Sequence, residues 1–506
     1  MKTYCKIIIL VICSFFQLHP QQKIDNKALR GLDAIYNFDW ARGDKIFSDL
    51  IEDYPENPAG YHYSSIMPLW FFLGSFDDTY LDTFYLYSDK ALELAKKMES
   101  KDSLSAELAY LLGCIYSNRS IASARSGSYV NAVWASERMK SYCIKALEIN
   151  EKIIDANIGL GLYHLAVSQI PSSLQWAIQL VGINADRETG IEMLQQVIKK
   201  GKLSRVDAQF YLSQIFTRIV IQPEEAQKIL NELTARYPKN LLFHMSLGWI
   251  ELEIGNIKAA EKRFLSIIKS DEENFPLLKS LSYYQLGNIY FYKGFVDSAI
   301  TYYKMYLESN LRDDYAGITN YNLGLIFEIS GERDSAITYY ENSLHGNMDL
   351  DEDSYAKRKG RELLNKELDS VDVRLISFNN LFKAGNYRLA IDLLKQFVED
   401  SLNSDIKAEA YLLLGMSHLK IKKYKEAVKY SVEAIQTETI NEKWIHPYAH
   451  FTAAKASYHT RSYLDAQLFL NLISDYSDYD FQLKLEGHRY ALQRNLDKLQ
   501  NMRGNK

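Results

Sequence analysis

The chain has 506 residues, of which 47% are hydrophobic and 24% charged, and a formal net charge of -5. That charge leaves no global basic field to hold a phosphate backbone, so nucleic acid is not an expected partner. Only nine prolines occur, as a mostly helical chain requires.

Met1-Lys2-Thr3-Tyr4-Cys5-Lys6 precedes the apolar run Ile7 to Phe16. A basic start and a run of about ten apolar residues is the pattern of a secretory signal, too short to cross a bilayer. Residues 1–22 are therefore read as a signal peptide, and the mature chain as exported, to the periplasm or outer membrane of a bacterial envelope. Lipid attachment at Cys13 is the alternative, against which stands the bulky Ile12. The mature chain keeps Cys114 and Cys143, too few for a disulfide framework and read as buried thiols.

Residues 23–239 read as a degenerate array of helix pairs with an inserted helix at 168–185. Phe38-Asp39-Trp40-Ala41-Arg42-Gly43 leads to Phe47, Leu50 and Tyr54-Pro55. The run Ile66 to Leu73 is the densest apolar stretch beyond the leader, and its length fits a buried helix rather than a membrane span. Leu112-Gly113 opens a pair whose second helix reaches its matching residue, Met139, after 26 positions. Leu160-Gly161 opens the next, and Gly190 follows at 29. The surplus holds Pro171-Ser172-Ser173, a helix start, and Gly182 with Asn184, a helix stop. Within that insert Leu174, Trp176 and Ile178 are open to three readings: core packing, partner contact, or contact with a membrane surface.

Residues 240–347 are regular. Leu247-Gly248, Leu286-Gly287 and Leu323-Gly324, and later Leu414-Gly415, each precede an alanine by twelve positions: Ala260, Ala299, Ala336 and Ala427. Four positions further stand Phe264, Tyr303, Tyr340 and Ser431. The spacing predicts two antiparallel helices in which glycine faces alanine, with large residues around the contact. Gly255-Asn256, Lys293-Gly294 and Ser330-Gly331 supply the turns. These coupled positions resemble the tetratricopeptide repeat. The resemblance implies an all-α, TPR-type α-solenoid, a right-handed superhelix of about ten antiparallel helix pairs with a C-terminal capping helix. The mixed-charge segment 348–370 is expected to be a joint, and its acidic run Asp351-Glu352-Asp353 a solvated face. Residues 371–506 hold the last repeats, with Ala454, Ala466 and Leu470 marking the final pair, and the cap after Asp480.

Gly161-Leu162-Tyr163, Ile170-Pro171, Leu180-Val181-Gly182 and Asp186-Arg187-Glu188-Thr189-Gly190 resemble the central block of the eukaryotic tetratricopeptide-repeat-protein-39 group, over residues 125–245. That resemblance implies an all-helical repeat protein with adaptor-like roles near membranes or lipid stores, and no catalytic residues. The exported leader departs from that group.

No HExxH, GxSxG, P-loop or CxxC is present. Catalytic residues, cofactors and metals are therefore not expected. His446 and His450 have a ligand-compatible spacing on a helix, but Pro447 intervenes and no third ligand accompanies them. In tetratricopeptide arrays the first helices line the concave side. Carried onto this sequence, those positions give a candidate partner-binding groove of Met245, Trp249, Tyr284, Asn288, Phe291, Tyr292, Tyr321, Leu325 and Met416. The other reading of these side chains is packing between repeats. The chaperone-tail clamp of such arrays needs a lysine where Tyr284 stands, so the expected partner is an amphipathic helix or apolar peptide rather than a terminal carboxylate. The expected function is a non-enzymatic protein–protein scaffold of the cell envelope. Its rivals are a membrane-peripheral, lipid-linked adaptor and a glycan- or nutrient-capturing outer-membrane lipoprotein.

Overall fold

The computed structural model describes residues 20–101, 104–168, 186–400 and 402–504. The expected signal peptide up to residue 19 and the expected insert from 169, with Leu174, Trp176 and Ile178, lie outside the described residues. The described residues form 24 α-helices and no strand. Packing divides the chain into two units, residues 1–213 with 229–243 and residues 214–228 with 244–506.

The first unit stacks helix pairs: α1 (Pro20–Tyr36) with α2 (Trp40–Asp53), α3 (Pro58–Ser75) with α4 (Asp78–Lys101), α5 (Ala106–Arg125) with α6 (Tyr129–Ile149), and α7 (Asn157–Val167) with α8 (Arg187–Lys200). The division then passes through α9 (Arg205–Arg218) and α10 (Pro223–Arg236). Capping residues set the starts: Asn57 accepts from the Ala59 amide at 2.9 Å, Ser105 from Leu108 at 3.1 Å, and Asp186 from Thr189 at 2.8 Å. The end of the unit returns to its beginning. Tyr237 donates to Asp33 at 2.8 Å, and the Asn240 side chain donates to the Tyr36 carbonyl at 2.8 Å.

In the second unit α11 (Leu241–Glu253) leads to α12 (Ile257–Ile268), and α13 (Pro276–Tyr292) pairs with α14 (Val296–Ser309). Next come α15 (Ala316–Ile329) with α16 (Arg333–Asn342), α17 (Asp351–Asn365), and α18 (Ser370–Lys383) with α19 (Tyr387–Phe397). The last pairs are α20 (Ser404–Lys420) with α21 (Tyr424–Gln436) and α22 (Ile445–His459) with α23 (Tyr463–Leu472). The final helix α24 (Gln482–Gly504) sinks Leu485, Leu492 and Leu496 into the cluster that holds Ala454, Ala466 and Leu470.

The close contact within a pair is not glycine on alanine. Glycine instead lies under the residue four positions beyond the small one. A Cβ built on Gly248 would stand 2.9 Å from Phe264, and one on Gly287 or Gly324 would overlap the ring of Tyr303 or Tyr340. The same rule holds where Gly31 meets Phe47 and Gly113 meets the Cys143 sulfur at 2.8 Å, whereas Gly161 meets the Gly190 carbonyl at 2.9 Å ahead of Leu194 at 3.1 Å. Ser431 takes the ring's place over Gly415 at 2.7 Å. Tyr303 and Tyr340 are completely buried there. A ring needs the notch that only a missing side chain leaves.

The expected joint at 348–370 contains α17, which buries Asp353, Ala356, Gly360 and Leu363. Its acidic run is not a solvated face throughout. Asp353 is wholly buried and accepts hydrogen bonds from the amides of Ile318 at 2.8 Å and Asn347 at 2.9 Å, so it caps α15 from another helix. Asp369 then caps α18 in a capping box with Asp372.

Replacing Gly287 by alanine is expected to cost about 1–3 kcal/mol, because Tyr303 has no room to retreat. Gly487 on α24 has nothing within 4 Å of its missing Cβ, so Gly487→Ala is expected to add about 1 kcal/mol through helix propensity. Urea denaturation should show the two midpoints moving in opposite directions.

Candidate functional site

The inner faces of the first helices are where the sequence places a groove, and in the second unit most of those side chains are spent on one another. Tyr284 stacks on Tyr315 at 4.7 Å between ring centres and leans on Tyr306 at 5.3 Å. Asn288 is buried and accepts from the Tyr303 hydroxyl at 2.8 Å, while Asn322 donates to the same hydroxyl at 3.1 Å. A buried polar chain thus joins α13, α14 and α15 with its groups satisfied. Phe291, Tyr321 and Leu325 belong to the same core cluster. Met245 is buried, and Trp249 donates to its sulfur at 3.1 Å. Only Trp249, Tyr292 and Met416 of the nine keep partial exposure. Tyr292 carries the Lys383 ammonium 5.1 Å from its ring centre. The packing reading therefore describes six of the nine positions.

A charge network that sequence reasoning missed lies beside this core. Glu442, in the loop before α22, accepts from Arg358 at 2.7 Å, Lys359 at 3.0 Å and the Trp444 indole at 2.8 Å. Arg358 also donates to Asp480 at 2.9 Å, before α24. One side chain of α17 thereby holds two later loops, and Tyr355 of the same helix packs on Phe481 at 5.0 Å. Burial would raise the Glu442 carboxyl, but Lys359 and Arg358 outweigh it and hold it at about 2. Glu409 on α20 has the opposite fate, with burial first and Glu442 second pushing it up to about 7. The cationic partners of Glu442 are more than 80 positions away, which is why no local pattern marks the network.

In the first unit the inner faces of α1, α3, α5 and α7, with the start of α9, line a cavity of about 100 Å³. Asp207 lines it, and the Tyr36 hydroxyl donates to the Asp207 carboxylate at 2.7 Å. His62 also lines it, and burial lowers that imidazole to about 4. Tyr110 and Ser204 share a hydrogen bond of 2.7 Å at its edge. Cys114 faces this space, whereas Cys143 is wedged between Gly113 and Gly159; both thiols are free. Nothing in the sequence singles out Asp207, since its hydroxyl partner is 171 positions away.

A third feature is on the outside. α6 has 21 residues and α7 only 11. Near the start of α6, Tyr129, Val130, Val133 and Trp134 are exposed, Val130 to 84% and Trp134 to 52%. The Arg138 guanidinium sits 5.2 Å from the Trp134 ring centre. Elsewhere His446 meets the Thr437 carbonyl at 2.8 Å and His450 the Tyr476 hydroxyl at 3.4 Å, so the two rings have separate partners. Among the described residues no helix is long and apolar enough to cross a membrane.

Removing one partner of a buried ion pair leaves the other charge uncompensated, so Glu442→Gln is expected to loosen α17 by about 3 kcal/mol at neutral pH. Because the folded carboxyl lies below its ordinary value, its contribution is present above about pH 4.5 and is lost as pH falls toward about 2. Hydrogen–deuterium exchange across residues 351–365 should quicken about a hundredfold in the variant at pH 7, and the difference should shrink in acid.

The family model described as Iml2/Tetratricopeptide repeat protein 39 matches residues 83–312, and a tetratricopeptide-repeat model matches residues 377–441. Among solved structures the chain is similar to yeast Tom70, at 15% identity and a TM-score of 0.30, covering 88% of this chain and 92% of that one. A human IFIT1 dimer with PPP-AAAA is similar at 15% identity and a TM-score of 0.35, with 82% of this chain and 94% of that one covered. The Cut9 and Hcn1 hetero-tetramer of the APC/C gives 15% identity and a TM-score of 0.25 over 95% and 98% of the two chains. With the glycine notches of its helix pairs, the two family models give the chain tetratricopeptide repeats over residues 377–441 and a resemblance to the Iml2/tetratricopeptide-repeat-protein-39 group across residues 83–312.

Proposed function

We propose that this protein is a non-enzymatic adaptor of the cell envelope that holds an apolar helix of a partner protein against the outer end of the α5–α6 pair. The tetratricopeptide fold supports a protein-interaction scaffold in general. The exposed stripe Tyr129, Val130, Val133 and Trp134 is the observation that selects the surface. Its spacing of one, four and five positions keeps all four side chains on one helical face. Within the array, second helices bury such faces against the next pair, whereas these four side chains stay exposed, with Trp134 edge-on to Tyr116 of α5 at 5.6 Å between ring centres. A partner's helix would cover them, with the tryptophan and tyrosine as anchors. The inner groove of the second unit fits this role less well, because its aromatic residues are already packed together. The basic start and apolar run of residues 1–16 support the envelope location.

The test is capture from the envelope fraction of the producing cell with wild-type chain, Val130→Glu and Trp134→Ala. The adaptor reading expects one discrete protein whose recovery drops at least tenfold in both variants, with the thermal midpoint of the isolated chain unchanged. A fall in that midpoint would show that the stripe is covered from within and would sink the reading. Binding of wild-type chain to liposomes, lost in the same variants, would replace a protein partner by a membrane surface.

A further inference from the structure

We propose that the cavity inside the first unit is a receptor for a small ammonium or guanidinium group, with Asp207 as counter-ion and tyrosine rings as walls. Five helices contribute inner-face residues to one volume, and Asn240 holds the backbone of the lining residue Tyr36 from the end of the unit.

The composition of the lining selects the ligand. Among the described lining residues there is one carboxylate and no lysine or arginine. The walls include Tyr36, Tyr63, Tyr110, Tyr211 and Trp70. Aromatic faces with a carboxylate at the end are the surroundings in which organic cations are held, by ring quadrupole and by ion pairing. An anion would meet Asp207 with nothing to offset the repulsion. A neutral apolar ligand would leave the carboxylate unpaired in a desolvated site, which is costly.

Asp207 is also short of partners. Its Oδ2 accepts from Tyr36, and that is its sole hydrogen bond among the described residues. Asp155 adds negative potential rather than relief, since its own oxygens are held by the amides of Lys202 and Ser204 at 2.9 Å. The groups facing Asp207 from the other elements stay neutral near pH 7. Burial pushes the Tyr36 and Tyr63 phenols and the Cys114 thiol up, and burial then Asp207 itself do the same to Tyr211. His62 is neutral for the opposite reason, being held at about 4. Burial, and then Asp155, raise the Asp207 carboxyl to about 6, as expected of a charge that lacks its counter-charge.

Size narrows the class. A volume of about 100 Å³ is several times the minimum that a single water needs. That admits a short alkylammonium or the tip of a lysine or arginine side chain.

Calorimetric titration of the full chain tests this with n-butylammonium, sodium butyrate and 1-butanol at pH 7.5. The expected result is saturable binding of the ammonium alone, weakened at least tenfold in Asp207→Asn, which keeps an oxygen for Tyr36. Lowering the pH from 7.5 to 5 should weaken ammonium binding to wild-type chain about tenfold, through protonation of Asp207. That arm decides the matter if the variant fails to fold. Butanol binding as well as butylammonium, or ammonium binding indifferent to both the variant and the pH, would overturn the proposal. A capped Gly-Lys-Gly peptide separates the sources. If it binds, the cation comes from a partner's side chain; if only the free amine binds, the ligand is a small molecule.

Discussion

A missing side chain organises this protein. In pair after pair a glycine of the first helix leaves a notch, and a residue of the second helix fills it. Burying a phenylalanine or tyrosine ring stabilises by about 2–3 kcal/mol, and here the notch also fixes where along the helix the ring must sit. It therefore sets the separation and rotation of the two helices at once. The filler varies widely: Phe47, Cys143, Leu194, Tyr303 and Ser431 stand over a glycine in different pairs. Where the filler is tyrosine, its hydroxyl reaches further. Tyr303 accepts from Asn322 in the following pair while donating to Asn288 in its own, so one ring both closes a pair and ties it to the next. Such nearest-neighbour ties carry the stability of a repeat array, which has no single centre.

The division of labour among carboxylates follows from burial combined with company. Glu442 and Asp207 are both taken from water, yet the first is held at about 2 and the second rises to about 6. Arginine and lysine beside Glu442 account for the first. Near Asp207 the nearest charged company is Asp155, of the same sign. One carboxylate is a structural clasp and the other is an unmet demand. Their chemistry is identical, and only their neighbours differ.

The regular pairs were legible in the sequence because several positions are coupled: a leucine and glycine, an alanine twelve positions on, a large residue four beyond that. The pattern still misassigned the contact, since it shows which small residues recur and not which side chain lies between them. The groove residues were legible as members of the first helices, but not as buried or open. Whether Tyr284 faces a partner or Tyr315 depends on how tightly successive pairs curl, and that curvature arises from small rotations summed over many repeats. Asp353 read as one acid in a charged run. Only the fold brings the amide of Ile318, 35 positions earlier, to its carboxylate. The cavity was illegible for the same reason, because its walls come from five separate helices.

The interleaved boundary of the two units has a bearing on how the chain is made. Residues 214–228 pack with the second unit, while 229–243 complete the first. A ribosome delivers residues in order, so the closing contacts of Tyr237 and Asn240 with α1 cannot form until a stretch that belongs elsewhere has already emerged. Until then the first four helix pairs wait without that closure, with Asp33 lacking its Tyr237 partner. The nascent chain therefore passes through an interval in which its first unit is unfinished, and that interval is where a chaperone would find its grip.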